Sequence, residues 1–144
     1  MKQSYETTLR VRYAETDRMG VVYYANFFVW FEVGRVETFR QMGFSYKEME
    51  EADDSRVVVA EAACRYRSPA LYDDVVRICT RVAESRTRTL RFAYEVIRDA
   101  TGELLATGET LHVICDRRNR PKTLPEKYRR YFPLTPRRRP PSRA

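Results

Sequence analysis

The sequence predicts an α+β domain in which a curved antiparallel sheet of five strands wraps around one long helix. One strand-like segment comes first, a long apolar helical segment follows it, and four further strand-like segments then succeed one another without a long helix between them. A doubly wound parallel sheet needs helices between its strands, so this order favours an antiparallel sheet that packs on a single helix. The length of 144 residues suits one domain.

Two different periodicities predict the first strand and the long helix. Residues 5–13 alternate apolar and polar side chains, which is typical of a strand with one buried face. A polar turn leads to a helix from about Tyr24 to Met42, whose apolar residues cover most of its circumference, so we expect other structure to enclose it. Within this helix Gly34 is expected to let the sheet approach closely, and Gly43 is expected to end it.

The remaining segments complete the sheet. Ser45, with Glu48 three residues later, predicts a capped short helix, and another short helix is expected after Pro125. Strands with hairpin spacing are predicted at residues 57–67, 75–85, 88–98 and 103–115, with a hairpin turn at 99–102. We expect a single domain over residues 1–132 and a basic, Pro/Arg-rich, disordered tail over residues 133–144.

The composition disfavours several function classes. The net charge of +7 would suit a nucleic-acid partner, but four arginines lie in the tail, so the domain itself is only mildly basic. No apolar run could cross a bilayer and the N-terminus lacks a secretory signal, so we expect a soluble, cytoplasmic protein without membrane contact. The three scattered cysteines and the single histidine, His112, lack the spacing of a zinc site or a disulfide framework.

The turn before the long helix carries the clearest chemical signal. Asp17 lies in this turn, and the helix that follows begins with amide N–H groups that have no acceptor within the helix. Such donors near Tyr23, Tyr24 and Ala25, together with the positive end of the helix dipole, can polarise a carbonyl group or stabilise an oxyanion. On the spacing alone, the simpler interpretation is that Asp17 only caps the turn and that the aromatic residues only fill the core.

Three segments resemble one enzyme family. ETDRMGVVYYANFFVWFEVGR at residues 15–35 resembles the signature of hotdog-fold acyl-CoA thioesterases of the 4-hydroxybenzoyl-CoA thioesterase and YbgC type. YRSPALYDD at 66–74 and HVICDRRNRPKTLP at 112–125 are similar to later segments of that family. The resemblance, over residues 5–132, implies a hotdog fold, a homodimer or homotetramer, and hydrolysis of an acyl-CoA to the free acid and coenzyme A without a metal or organic cofactor.

The resemblance also implies roles for individual residues. Asp17 would act as nucleophile or general base, and the backbone amide near Tyr24 would polarise the thioester carbonyl. Many YbgC-like members carry histidine where this chain has Tyr24, so we expect the acyl pocket to differ and to suit short-chain or aromatic acyl groups. The substrate-binding residues are then Tyr23, Ala25 and Phe27, with Val59, Ala60 and Glu61 of the neighbouring subunit, and Arg86 and Arg88 for the phosphates of coenzyme A.

Several alternatives remain open at this level. A second basic cluster that could hold the phosphates follows the last strand, at Arg117, Arg118, Arg120 and Lys122. Glu32 and Glu37 on the helix are secondary candidates for the catalytic carboxylate, although an ion pair of Glu32 with Arg35 is the simpler expectation. Glu61 is expected to be an ordinary paired carboxylate, and His112 a packed structural residue. The rival functions are a non-catalytic acyl-CoA-binding or protein-interaction module, and nucleic-acid binding.

Overall fold

The computed structural model describes residues 3–137 and 142. It contains one antiparallel sheet with the strand order β1-β3-β4-β5-β2 and a long helix, α1, against one face of the sheet. The elements are β1 (Ser4–Arg10), α1 (Asn26–Met42), α2 (Tyr46–Glu51), β2 (Arg56–Tyr66), β3 (Val75–Ser85), β4 (Thr89–Arg98) and β5 (Leu104–Cys115). The predicted α+β class and the count of five strands are confirmed.

Helix α1 lies close to the sheet because its middle residue is a glycine. A Cβ atom at Gly34 would stand 2.6 Å from the Thr80 Oγ1 atom and 2.8 Å from the Ile78 Cγ2 atom, both on β3. Only glycine leaves room for this approach, as predicted. The helix ends at Gly43, whose φ of 114° is left-handed and whose N–H donates to the Phe39 carbonyl at 3.0 Å.

The described residues cover only one side of α1. Trp30, Phe31 and Phe39 are fully buried against the sheet. On the opposite flank Val29 remains 47% exposed and Val33 36% exposed. The enclosure expected for so apolar a helix is therefore incomplete in a single chain.

The strand order departs from a series of hairpins. β3, β4 and β5 follow one another as hairpins, with Gly102 (φ 76°) in the predicted turn. β2, however, does not pair with β3; it lies at the far edge of the sheet beside β5. The reason is that β1 occupies the free side of β3, so the free side of β5 is the one left for β2. The connection after β2, residues 67–74, crosses the end of the sheet.

The smaller elements agree with expectation in part. The Ser45 hydroxyl accepts the N–H of Glu48 at 3.3 Å and begins α2 as predicted. The helix expected after Pro125 is only a 3-10 turn, Glu126–Tyr128. Thr135 donates its N–H to the Ser85 carbonyl at 2.9 Å, so the chain still contacts the sheet three residues beyond 132. The domain boundary at 132 stays a prediction, and most of the expected disordered tail, 138–141 and 143–144, lies outside the described residues.

Candidate active site

A buried carboxylate, Glu15, fixes the loop between β1 and α1. Its Oε1 atom accepts the backbone N–H of Arg12 at 2.8 Å, and its Oε2 atom accepts the indole N–H of Trp30 at 2.9 Å. Its carbonyl oxygen accepts the N–H of Tyr23 and the side-chain amide of Asn26, both at 2.9 Å. Sequence analysis missed this residue. The available signal was Trp30, because a buried indole N–H needs an acceptor.

Asp17 sits at the tip of the same loop. Its N–H donates to the Val21 carbonyl at 2.8 Å, and its own carbonyl accepts the N–H of Gly20, whose φ of 81° closes the turn. The Oδ1 atom accepts the N–H of Met19 at 2.8 Å. Oδ2 has no hydrogen-bond partner within the described residues, and the side chain is half-buried. One carboxylate oxygen is therefore held in place and the other is available.

Two backbone N–H groups at the start of α1 are free. The N–H groups of Asn26, Phe27 and Phe28 donate to carbonyls three residues earlier, at 2.9, 3.3 and 3.1 Å. Those of Tyr24 and Ala25 meet no acceptor in the described part of the chain. The expected free donor at Tyr23 is wrong, because the Glu15 carbonyl already accepts it. The candidate oxyanion donors are thus the two consecutive amides of Tyr24 and Ala25, at the positive end of the helix.

Aromatic rings surround these amides. The Phe27 ring is 2% exposed and lies against Trp30 and Tyr66, with ring centroids 4.7 and 5.1 Å apart. The rings of Tyr23 and Tyr24 contact each other at 4.7 Å and are largely exposed. The hydrogen bond with Tyr24 raises the pKa of the Tyr23 hydroxyl above its ordinary value, and the nearby Asp17 carboxylate adds to the shift. Asp17 and these rings therefore share one corner of the molecule.

The three predicted residues of β2 lie elsewhere in a single chain. Val59 stands opposite His112 on the inner face of the sheet but is 50% exposed, because β2 is an edge strand. Ala60 forms a β-bulge between Val59 and Glu61. Glu61 is exposed and has no ion pair within residues 3–137, so the expected paired carboxylate is wrong. Tyr66, at the other end of β2, contacts Tyr24 and Phe27 at the start of α1.

Arg86 and Arg88 also lie away from Asp17 in a single chain. They occupy the turn between β3 and β4, whereas the Asp17 loop follows the end of β1, which pairs with the start of β3. An eleven-residue strand separates the two ends by roughly 33 Å. The Arg86 side chain pairs with Glu84 at 3.3 Å and donates to the Thr135 carbonyl at 3.0 Å, while Arg88 is exposed.

The secondary candidates have structural partners. His112 is fully buried; its Nε2 atom lies 2.7 Å from the Thr110 hydroxyl, and burial lowers its pKa to about 4. It is a packed residue, as predicted. Glu37 pairs with Arg40. The expected Glu32–Arg35 pair is wrong, because the Arg35 guanidinium instead donates to the Tyr94 hydroxyl at 3.1 Å.

Two residues of the second basic cluster, Arg117 and Lys122, already have partners within the protein. Arg117 pairs with Asp54 at 3.4 Å, and the Lys122 ammonium donates to the backbone carbonyls of Asp53 and Asp54 at 3.1 Å.

Among the described residues no group of three or more His, Cys, Asp and Glu side chains is arranged to hold a metal ion. Neither α1 nor α2, the two α-helices of the described residues, is long and apolar enough to span a membrane.

Comparison with known proteins places this chain in a family. The family model described as the thioesterase-like superfamily matches residues 11–132. The chain belongs to this superfamily. YneP of Bacillus subtilis is 33% identical to it over 125 residues, which cover 87% of each chain. The acyl-CoA thioester hydrolase YbgC of Escherichia coli O6:H1 is 33% identical over 119 residues, which cover 82% of this chain and 87% of YbgC.

A solved thioesterase structure shows the same architecture. The DHNA-CoA thioesterase from Staphylococcus aureus is 32% identical and superposes with a TM-score of 0.80, covering 90% of this chain and 84% of that one. The predicted hotdog fold, with the sheet curved around its central helix, is confirmed. The predicted enzyme class, a thioester hydrolase, is confirmed at the level of the superfamily.

Proposed function

We propose that this thioesterase-superfamily protein hydrolyses acyl-CoA thioesters to the free acid and coenzyme A. The observation that carries the proposal is the pairing of an available carboxylate oxygen on Asp17 with two unpaired N–H groups, of Tyr24 and Ala25, at the start of α1. Acyl transfer needs a nucleophile or base beside donors for a developing oxyanion, and this corner supplies both. Similarity to the acyl-CoA thioester hydrolase YbgC supports coenzyme A as the thiol.

In the proposed reaction the thioester carbonyl oxygen accepts hydrogen bonds from the free amides. The Asp17 carboxylate then either attacks the carbonyl carbon, which yields a mixed anhydride that water hydrolyses, or removes a proton from an attacking water. The carbon–sulfur bond breaks and coenzyme A leaves as a thiolate that takes up a proton. The helix dipole stabilises the negative charge that builds up on the oxygen. The route needs no metal or organic cofactor.

The aromatic corner supports a preference for short-chain or aromatic acyl groups. The rings of Tyr23, Tyr24, Phe27 and Tyr66 form one group of mutual contacts beside the free amides. Rings of this kind favour planar or short apolar groups through edge and face contacts.

A homodimer formed through β2 would complete the site. β2 has eleven residues, contains no proline and exposes Val59 and Tyr66 at the edge of the sheet, which is a template for pairing with another strand. Two copies of β2 related by a two-fold axis run antiparallel, so the start of each strand lies beside the end of the other. Val59 of the partner subunit would then lie near Tyr66 and the Asp17 loop.

The same pairing would bring the two predicted phosphate-binding arginines of the partner subunit to the Asp17 end of the sheet. Within one chain Arg86 and Arg88 lie at the opposite end of the sheet from Asp17. An antiparallel copy reverses that order, so Arg86 of the partner subunit and Arg88 of the partner subunit lie at the Asp17 end of the joined sheet. Guanidinium groups there would suit the phosphates of coenzyme A. The proposed nucleotide site is therefore shared between two subunits.

Light scattering with an edge-strand variant tests the dimer. Val59→Lys puts a charge on the exposed edge and should convert the dimer to monomer at micromolar concentration. Leu134→Lys is the matched control, since Leu134 is 57% exposed and lies outside the sheet. A wild-type protein that is already monomeric would contradict the shared site.

Thiol release from a panel of acyl-CoAs tests the function. Acetyl-, hexanoyl-, benzoyl- and palmitoyl-CoA are supplied to the purified protein, the last below its micelle-forming range. We expect turnover with kcat/KM highest for hexanoyl- or benzoyl-CoA. Absence of turnover on every thioester would contradict the proposal, and a maximum at palmitoyl-CoA would contradict the acyl-group preference alone.

A further inference from the structure

The Tyr66 side chain makes a hydrogen bond to the turn before α1. Its hydroxyl donates to the Tyr24 carbonyl oxygen at 2.9 Å, from the last residue of β2 to the turn before α1. The ring is 46% exposed, and its edge contacts the rings of Tyr24 and Phe27 with centroids 6.3 and 5.1 Å apart. The hydroxyl of a half-exposed tyrosine could point to water, but here it points to one particular carbonyl.

That carbonyl belongs to the same peptide unit as the Ala25 N–H. A peptide unit is planar, so the direction of the Tyr24 carbonyl fixes the direction of the Ala25 N–H. The helix contributes only a long bond to this carbonyl, 3.3 Å from the Phe27 N–H, whereas the neighbouring Tyr23 carbonyl accepts the Asn26 N–H at 2.9 Å. The Tyr24–Ala25 peptide therefore depends on Tyr66 for its second and shorter hydrogen bond.

We propose that Tyr66 is a positioning residue that aims and strengthens the Ala25 N–H as an oxyanion donor. A hydrogen bond accepted by a carbonyl draws electrons through the peptide unit and makes the N–H of that unit a better donor. This inference rests on the proposed function, because it assigns Tyr66 to the same oxyanion site. Burial of the hydroxyl raises the pKa of Tyr66 above its ordinary value, so the group remains a donor throughout the neutral and mildly alkaline range.

The position of Tyr66 also connects the oxyanion site to the subunit edge. Tyr66 ends the edge strand that the proposed dimer would pair, so whatever orders β2 also orders the hydroxyl that holds the Tyr24 carbonyl. The donor geometry should therefore be better defined in the dimer than in the monomer. The Val59→Lys monomer should therefore lose the kcat contribution of the Tyr66 hydroxyl and, in addition, bind acyl-CoA more weakly, because the partner's part of the shared site is gone.

Tyr66→Phe removes the hydroxyl and keeps the ring contacts. We expect kcat to fall about 10-fold with KM changed less than twofold, because the lost interaction acts on the developing oxyanion and not on the bound substrate. Tyr5→Phe is the matched control, since its hydroxyl contacts only Gln3 within the described residues, and it should leave kcat unchanged. Thermal unfolding of Tyr5→Phe should match the wild-type protein within about 2 °C, and Tyr66→Phe should unfold no more than about 5 °C lower, the cost of one hydrogen bond.

Infrared difference spectroscopy measures how strongly the thioester carbonyl of the bound substrate is polarised. A purely structural role of Tyr66 would leave this polarisation unchanged. Benzoyl-CoA labelled with ¹³C at its carbonyl is bound to Asp17→Asn, which should not turn over, and the carbonyl stretch should lie below its frequency in solution. Adding Tyr66→Phe should move the stretch back toward the solution value. An unchanged stretch and an unchanged kcat would overturn the role of Tyr66.

The outcomes separate the two proposals. If wild-type protein releases no thiol from any acyl-CoA, the proposed function itself fails. If wild-type protein turns over and Asp17→Asn does not, the function stands, and the Tyr66 experiments then decide the positioning role independently. A kcat that falls without any shift of the carbonyl stretch would also overturn it, because the loss would then not arise at the oxyanion.

Discussion

Replacing Glu15 by glutamine should destabilise the loop that carries Asp17. The Glu15 side chain is 5% exposed, and its two oxygens accept two separate N–H groups, from the Arg12 backbone and the Trp30 indole. Glutamine has the same shape but only one acceptor oxygen, so its amide group would point hydrogens at one of these donors. One buried N–H is then left without an acceptor.

The expected cost follows from that count. A buried donor that loses its acceptor costs about 1–3 kcal/mol, while the ion pair with the solvent-exposed Arg12 guanidinium, 3.5 Å from Glu15, adds little. For a domain of this size, a loss of 1 kcal/mol lowers Tm by about 3 °C, so Glu15→Gln should unfold about 3–9 °C below the wild-type protein. Because the Glu15 carbonyl also holds the Tyr23 N–H, kcat should fall as well.

Circular dichroism melting and thiol release measure both effects. Glu109→Gln is the matched control, since Glu109 is exposed on β5 and has no ion pair in the described part of the chain. It should change the stability by less than about 0.5 kcal/mol. A Glu15→Gln protein that melts with the control would refute the assignment of Glu15 as the anchor of the loop.

Two further predictions concern the core. Burial lowers the pKa of His112 to about 4 from an ordinary 6.5, so the unfolded state takes up its proton first as the pH falls, and the free energy of unfolding should drop by up to about 3 kcal/mol between pH 7 and 4. In urea titrations His112→Gln should lose that part of the pH dependence; a profile parallel to wild type would contradict the prediction. Gly34→Ala should destabilise by about 1–2 kcal/mol, since crowding against Thr80 and Ile78 outweighs the gain of about 1 kcal/mol in helix propensity. An unchanged urea midpoint would show that the helix can shift away from β3.

Local patterns were sufficient to predict the elements of the fold. The alternation in residues 5–13, the apolar helix and the hairpin glycine Gly102 each report on neighbouring residues, and their elements formed close to where expected, although β1 ends at Arg10, three residues before the predicted end. Gly34 was also interpretable from the sequence, because a glycine inside a helix is unfavourable unless another element approaches it.

The strand order could not be obtained in this way. β2 lies beside β5 because β1 occupies the free side of β3, and that choice involves three segments far apart in the sequence. A pattern within one segment carries no information on which of several distant strands pairs with a given edge. The inward turn of Arg35 toward the Tyr94 hydroxyl is invisible for the same reason, since the nearest partner in sequence was Glu32.

In the candidate site, too, the features set by neighbouring residues were predictable and those set by distant residues were not. Asp17 and the amides of Tyr24 and Ala25 follow from a turn and a helix start that are adjacent in the sequence. The Tyr23 N–H was misassigned because the acceptor that occupies it, the Glu15 carbonyl, is placed by pairing between Thr16 and Val22 across the loop. Sequence alone could not show that Arg86 and Arg88 lie a whole strand length from Asp17 in one chain.

Turnover by Asp17→Asn tests the proposed activity most directly. Asparagine keeps the size of the side chain and an oxygen that can accept the Met19 N–H, but it can neither attack the thioester nor accept a proton from water. In thiol-release assays kcat on hexanoyl- and benzoyl-CoA should fall by at least about 1000-fold, while calorimetry should show coenzyme A binding within about twofold of wild type. An Asp17→Asn protein that hydrolyses these thioesters at the wild-type rate would contradict the assignment of Asp17 as nucleophile or base.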